Sequence, residues 1–301
     1  MADQPIVSPR LAASTGCTYP FDMVTEKSVE FLHTAGLREV EIYLQCDDEL
    51  DERYLGYLAA DCAELGLRVV SLHPYPFGFE NLLFTRYRRQ RAWATRRFER
   101  HLSAAQMLGA PVYVSHGPPR HAVIQGSKFD PEYLHVTRQL IGLAASYGVR
   151  YCLENVSYGL VQSPDDADRQ LTEFGEALGL VVDFKSAWKS GFRPTDFLRS
   201  RLPSVSHLQV SYRAGERYGL GVGVDAGDVH DPDVADALRL CLVEAPMLPP
   251  VLEIEARNEA ELTRTIQATR DLLDRIAGET AGDTVGTAAD SHSARLPKSV
   301  M

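Results

Sequence analysis

Apolar residues recur along this chain in two rhythms that take turns. Short runs rich in β-branched residues, some strictly alternating, are each followed by a longer stretch with apolar residues three and four apart. The first rhythm is that of a strand and the second that of an amphipathic helix. Strands are predicted at 11–17 (LAASTGC), 39–44 (EVEIYL), 67–72, 111–115, in the run ending on Glu154, in the run ending on Asp183, at 205–211 (VSHLQVS) and at 251–254 (VLEI). Helices are predicted at 27–35, 51–65, 87–108, from Asp130-Pro131 to Tyr147, from Ser163-Pro164, after the loop that follows Asp183, from Asp231-Pro232, and from Asn258 to about Ile276. Gly36, Gly66, Gly109 and Gly148 supply stops. The Asp-Pro and Ser-Pro pairs supply an N-cap with proline at the first helical position. Asn258 and Glu261 have the spacing of a capping box.

Eight strand-helix alternations imply an α/β chain closed into a (β/α)8 barrel, a single domain over residues 1–276. An open doubly wound sheet is the alternative. Against it, no G-x-G-x-x-G follows the first strand, and the spaced glycines of GLGVGVDAG follow the seventh strand with no helix opening inside them. HPYPFGFENLL after the third strand reads as an ordered loop over the barrel mouth. Residues 277–301 have little apolar content and no periodicity, so they read as a disordered tail.

Composition narrows the class only modestly. With 301 residues, 45% hydrophobic and 24% charged, the chain has ample material for a large core. A net charge of −10 disfavours a nucleic-acid partner. No apolar run reaches membrane-spanning length, and MADQPIVSPRL has no basic stretch leading into an apolar one. The five cysteines, Cys17, Cys46, Cys62, Cys152 and Cys241, form no C-x-x-C pair. The expectation is reduced thiols and a cytoplasmic location. The arginines between Arg86 and Arg100 read as a solvated helix face, and Trp93 as helix packing.

The chemistry gathers at strand ends. His73, His116, Glu154, Asp183, Gln209 and Glu253 stand where strands three to eight finish. In a parallel barrel those ends converge on one mouth. Converging carboxylates are costly to bury without a cation, and their oxygens suit hard divalent ions such as Mg²⁺ or Mn²⁺, with Co²⁺ or Zn²⁺ as alternatives. Trp188 follows Asp183 closely enough to line the pocket. Arg213 and Arg217, in the loop after strand seven, are placed to meet an anionic substrate. Lys185 offers a positive charge to the site or faces solvent.

LEN at strand five, D-x-x-x-A at strand six, H-L-Q at strand seven and LEI at strand eight resemble the xylose-isomerase-like TIM-barrel superfamily. That group includes sugar and sugar-phosphate isomerases and epimerases, hydroxypyruvate isomerases and endonuclease IV. The resemblance spans most of residues 11–276 and implies a metal set of Glu154, Asp183, Gln209 and Glu253. The family often has histidine where Gln209 stands. The hydroxypyruvate isomerase branch resembles this chain in using glutamine, whereas a two-residue shift would make His207 the ligand. Gln209 lies nearer the mouth. The family's strand-six histidine is replaced by Ser186. His73 and His116 match positions that bind a further zinc in endonuclease IV and contact substrate in isomerases.

The resemblance implies a metal-dependent isomerase or epimerase of a small sugar or sugar acid. Glu154 and Glu253 would pass a proton as base and acid through an enediolate. His73, His116, Lys185, Trp188, Arg213 and Arg217 would hold the substrate. A lyase with the same first step, a metal-dependent endonuclease or phosphodiesterase, and a non-catalytic binding barrel are the alternatives. The expected partner is a small molecule, with no nucleic acid and no membrane; monomer and homo-oligomer both stay open.

Overall fold

The computed structural model describes residues 9–74, 78–125, 128–199, 201–223 and 226–290. Eight parallel strands close into a barrel, each paired with its neighbours in chain order. They are β1 (Ala12–Ser14), β2 (Glu39–Tyr43), β3 (Arg68–His73), β4 (Val112–Ser115), β5 (Arg150–Glu154), β6 (Gly179–Asp183), β7 (Val205–Val210) and β8 (Pro250–Leu252). Closure comes from β1 pairing β8 through Ala12–Val251 and Ala13–Leu252. The predicted (β/α)8 architecture is what forms.

The outer ring consists of α1 (Thr25–Thr34), α2 (Glu52–Glu64), α3 (Arg88–Leu108), α4 (Pro131–Ser146), α5 (Pro164–Phe174), α6 (Phe184–Lys189), α7 (Pro232–Glu244) and α8 (Glu259–Asp290). Local chemistry starts and stops them. Asp130 accepts from the Glu132 N–H at 2.8 Å, and Ser163 with Asp166 completes a capping box. Such a cap contributes about 1 kcal/mol. At α8 only half of the expected box forms. Asn258 accepts from the Glu261 N–H at 3.0 Å, but Glu261 turns to the Arg257 N–H at 2.9 Å. Gly109 ends α3 with φ of 69°, a left-handed backbone that favours glycine.

The main core lies between strands and helices. On α3, Ala94, Phe98, Leu102 and Ala105 share one face and are buried. Phe98 meets Tyr113 and Tyr151 edge-on at centroid distances of 5.1 and 5.9 Å. Truncating such a side chain to alanine costs about 3–5 kcal/mol. Of the arginine run, Arg88, Arg89, Arg96 and Arg100 are exposed, while Arg91 pairs with Glu132, Arg97 with Asp47 and, just before the helix, Arg86 with Asp130. Trp93 is not packed inside as expected; it is 46% exposed, with the Arg97 guanidinium 5.7 Å from its ring.

The barrel interior is filled in layers. Ala12, Val70 and Val251 form one small apolar cluster, and Val112, Val114, Cys152 and Val181 another. Strand alternation then brings Glu41, Ser71 and His207 inward, and above them the strand ends.

Four segments differ from the sequence expectation. A short helix, Phe79–Leu83, forms after β3 where a loop is predicted, and residues 75–77 lie outside the described residues. The glycine-rich stretch after β7 contains a hairpin, Tyr212–Ala214 against Arg217–Leu220. A second, two-residue pairing joins Ile124–Gln125 to Lys128–Phe129. At the C-terminal end, α8 continues to Asp290, past the end near Ile276 that the sequence pattern predicts. No proline interrupts that stretch, so nothing in the backbone stops the helix at Ile276. Residues 291–301 of the expected tail lie outside the described residues. No described helix is long and apolar enough to cross a membrane.

Candidate metal and substrate site

All six strand-end groups named from the sequence reach the same end of the barrel, because each closes or just follows a strand: His73 ends β3, Glu154 ends β5 and Asp183 ends β6. His116 follows β4, Gln209 is the penultimate residue of β7, and Glu253 follows β8. Register aligns Asp183 with Gln209, and the Glu253 N–H donates to the Val210 carbonyl at 2.9 Å.

Glu154 is the hinge of one half. His116 Nε2 lies 3.2 Å and His73 Nε2 3.6 Å from its Oε2. These are ion-pair contacts without hydrogen-bond geometry. Burial alone would raise the Glu154 pKa, but the two imidazoles outweigh it and hold the carboxyl well below the usual range. Burial likewise disfavours a charged His73, yet Glu154, Glu253 and Glu41 outweigh it and lift the imidazole to about 10. His73 Nδ1 faces the Pro74 carbonyl at 2.9 Å; a carbonyl only accepts, so Nδ1–H is the donor there. One ligand atom from each of His73, His116 and Glu154 lies within 4.8 Å of the others, a spacing that one metal ion can span.

Asp183 and Glu253 form the other half, and Lys185 stands between them. Its Nζ is 3.8 Å from Asp183 Oδ2 and 3.5 Å from Glu253 Oε1. Of the two readings open from sequence, solvent or site, the structure places Lys185 in the site. Asp183 is lifted to about 7, chiefly by burial and further by Glu253 and Glu154, with Lys185 opposing. Ser186, where the family pattern has histidine, spends its N–H on Asp183 Oδ1 at 3.1 Å. Asn155 holds β5 and β6 together here. Its amide accepts from the Asp183 N–H at 2.6 Å and donates to the Asp183 carbonyl at 3.0 Å.

The residues fit a divalent cation. Both amide atoms of Gln209 are buried and lack any hydrogen bond, as does Glu253 Oε2. Each such orphan costs about 1–3 kcal/mol unless something meets it. His207, the other candidate on β7, is already spent. Its Nε2 reaches across the barrel to Glu41 Oε2 at 2.7 Å, and Ser71 Oγ donates to the same oxygen at 2.8 Å. Burial would raise Glu41, but His207 wins and lowers it.

The remaining substrate candidates separate from this cluster. Arg213 pairs with Asp231 at 2.6 Å and Asp233 at 2.8 Å, and its guanidinium lies 4.8 Å from the Trp188 ring centre. Trp188 donates to Asp233 at 3.3 Å and stacks on Tyr218. These two side chains brace the start of α7. Arg217 is exposed on the hairpin.

Several contributors escaped the sequence reading. Tyr43 sits 4.8 Å from the His73 ring and lines a cavity of about 220 Å³ with Gly16, Tyr19, Lys185, Glu253 and Glu255. Tyr158 OH is 3.3 Å from His116 Nδ1. Glu80 accepts from the His116 N–H at 3.2 Å and from Ser115 Oγ at 2.6 Å. A tyrosine at a strand end was visible in the sequence; Glu80, on a helix that was not expected, gave no signal.

Comparison with known proteins follows the same geometry. A family model described as a xylose isomerase-like TIM barrel matches residues 29–233. No functionally curated protein matches the sequence. Among solved structures, an L-ribulose 3-epimerase aligns with a TM-score of 0.72 at 13% identity, covering 96% of this chain and 100% of its own. A D-tagatose 3-epimerase-like protein aligns at 0.70 and 17%, covering 90% and 99%. The IOLI protein, solved with a bound zinc atom, aligns at 0.68 and 16%, covering 90% and 98%. At these identities the likeness is one of fold.

Proposed function

Because the chain belongs to the xylose isomerase-like TIM-barrel family, we propose that it is an isomerase or epimerase of a small hydroxy-carbonyl compound, a sugar or sugar acid, working with one divalent ion. The observation that carries this reading is the set of buried, unpartnered oxygens on Gln209 and Glu253 beside the acids Glu154 and Asp183. The solved epimerases of the same fold support the substrate class. Glu154, Asp183, Gln209 and Glu253 would hold the ion, an all-oxygen set that suits Mn²⁺ or Mg²⁺. A bound ion supplies Lewis acidity that makes the C–H beside a carbonyl easier to break.

The chain's own groups do the rest. Glu154 would be the base that takes the proton, and Glu253 the acid on the other side that returns one. His73 and His116, whose Nε2 atoms face Glu154, would contact the substrate beside it. Tyr43 and Tyr158 limit the space around them. The test is a panel of ketoses and keto acids in D₂O with protein reconstituted in turn with Mn²⁺, Mg²⁺, Co²⁺ and Zn²⁺. Recovered substrate should carry deuterium beside its carbonyl. Protein that takes up none of the four ions would remove this reading and favour a non-catalytic barrel.

The His73–His116–Glu154 spacing favours a second reading, in which the ion sits on two nitrogens and one oxygen. That donor set suits zinc and moves the chemistry towards hydrolysis. Metal content separates the two. His73→Ala and His116→Ala would empty the site in the second reading, whereas Asp183→Ala would empty it in the first.

A further inference from the structure

We infer that Lys185 is a tethered cation that competes with the divalent ion for Asp183 and Glu253, so that the ion loads by displacing the ammonium. The inference rests on the four-ligand reading above and extends it to how the site is filled. Two of the four proposed ligands already have a positive charge between them, at 3.8 and 3.5 Å. The other two groups, Glu154 and Gln209, make no contact with it among the described hydrogen bonds and ion pairs. An ammonium and a divalent ion repel strongly at such spacing in a buried site. They cannot both sit on the same pair of carboxylates.

Lys185 is held there rather than resting there by chance. Asp183, one of its partners, caps α6, which places Lys185 in the first turn of that helix. Its aliphatic stem lies under the hairpin after β7. A Cβ added to Gly219 would stand 2.9 Å from Lys185 Cδ, and the Gly219 φ of 79° already disfavours a side chain. The bare backbone at Gly219 makes the slot in which the stem runs. The same lysine lines the 220 Å³ cavity beside Glu255, which offers an exposed carboxylate to receive the ammonium when it leaves.

The test measures Mn²⁺ affinity by titration calorimetry on wild type, Lys185→Met, which keeps the stem, and Lys185→Gln. Both neutral variants should bind Mn²⁺ more tightly, by about tenfold or more, about 1.4 kcal/mol for each factor of ten. Without metal, both should melt below wild type, and Mn²⁺ should raise their melting temperature more than it raises that of wild type. Reductive methylation followed by peptide mass spectrometry gives a check that needs no substitution: Mn²⁺ should speed labelling of Lys185 in the wild-type protein. Equal or weaker binding by both variants, with wild type binding normally, overturns the competition alone. Failure of wild type and both variants to bind any ion overturns the competition and the metal reading together. Labelling of Lys185 that slows with Mn²⁺ would overturn displacement.

Discussion

His207 and Gln209 stand two residues apart on the same face of β7, and the barrel treats them in opposite ways. His207 reaches across the axis and closes on Glu41 and Ser71. Gln209, one layer nearer the mouth, is as deeply buried, and neither atom of its amide finds a partner. The lower layer is internally paired, save for one Glu41 oxygen. The upper layer leaves its polarity unspent. A chain that gained only stability from its interior would have no reason to keep a buried bare amide. The difference marks where structure ends and chemistry begins.

The sharpest way to break the comparison is in the upper layer. Glu154→Gln and Glu253→Gln keep an oxygen but remove the proton carrier. Each should reduce turnover on the true substrate by about two to four powers of ten, with metal content checked in parallel. Normal turnover in both, with metal retained, would discard the two-carboxylate mechanism. The lower layer predicts the reverse pattern. His207→Ala strands a buried Glu41 carboxylate and should cost about 3–5 kcal/mol of stability. Urea unfolding would measure it, and metal affinity per mole of folded protein should barely change.

Gln209→Met sharpens the contrast by its sign. Replacing an unpartnered buried amide with a side chain of similar volume should stabilise the metal-free protein by about 1–3 kcal/mol. The same change should weaken metal binding. Destabilisation of the metal-free protein would mean that Gln209 has a structural partner.

The smallest effect is a slope with pH. The folded-state pKa of Asp183 is raised to about 7. Its stabilising contribution to metal-free protein is therefore full below the ordinary aspartate pKa and is lost as pH rises through about 7. The Glu41 carboxyl is depressed, so its contribution is present above the ordinary glutamate pKa and is lost on acidification. Between pH 5 and 7, Asp183→Asn should flatten the decline of stability with rising pH, a change of no more than about 1.4 kcal/mol per pH unit. Thermal melts of metal-free protein at several pH values would show it.

The alternation of strand and helix was legible because each barrel unit is local, and the caps at Asp130, Ser163 and Asp231 announce themselves in a few residues. The ring of strand-end polar groups was legible for the same reason. Depth was not. His207 and Gln209 share a face, and only the pairing of Val181 with His207 and Asp183 with Gln209 sets which is at the mouth. The site position of Lys185 also depends on closure. Glu253 comes from β8, and the hairpin over the stem was hidden in a stretch that reads as glycine-rich loop. Its signal was modest, two three- to four-residue runs around Gly215-Glu216. Proximity in sequence to the mouth does not reveal that Asp231 and Asp233 pair with Arg213, or that Asp233 accepts from Trp188.

Asn155 carries a consequence for how such a barrel changes over generations. By copying the two hydrogen bonds of a peptide group, its side chain prolongs the β5–β6 ladder one rung past Glu154. The backbone under Glu154 and Asp183 is thereby fastened from below, independently of the loops above. Loop segments other than the Tyr212–Leu220 hairpin, whose Gly219 makes the slot for Lys185, can be lengthened, swapped or redesigned without moving that footing. New substrate preferences can then be tried at the rim while the reactive groups keep their spacing, and a library built only in those loops is the economical place to begin redesign.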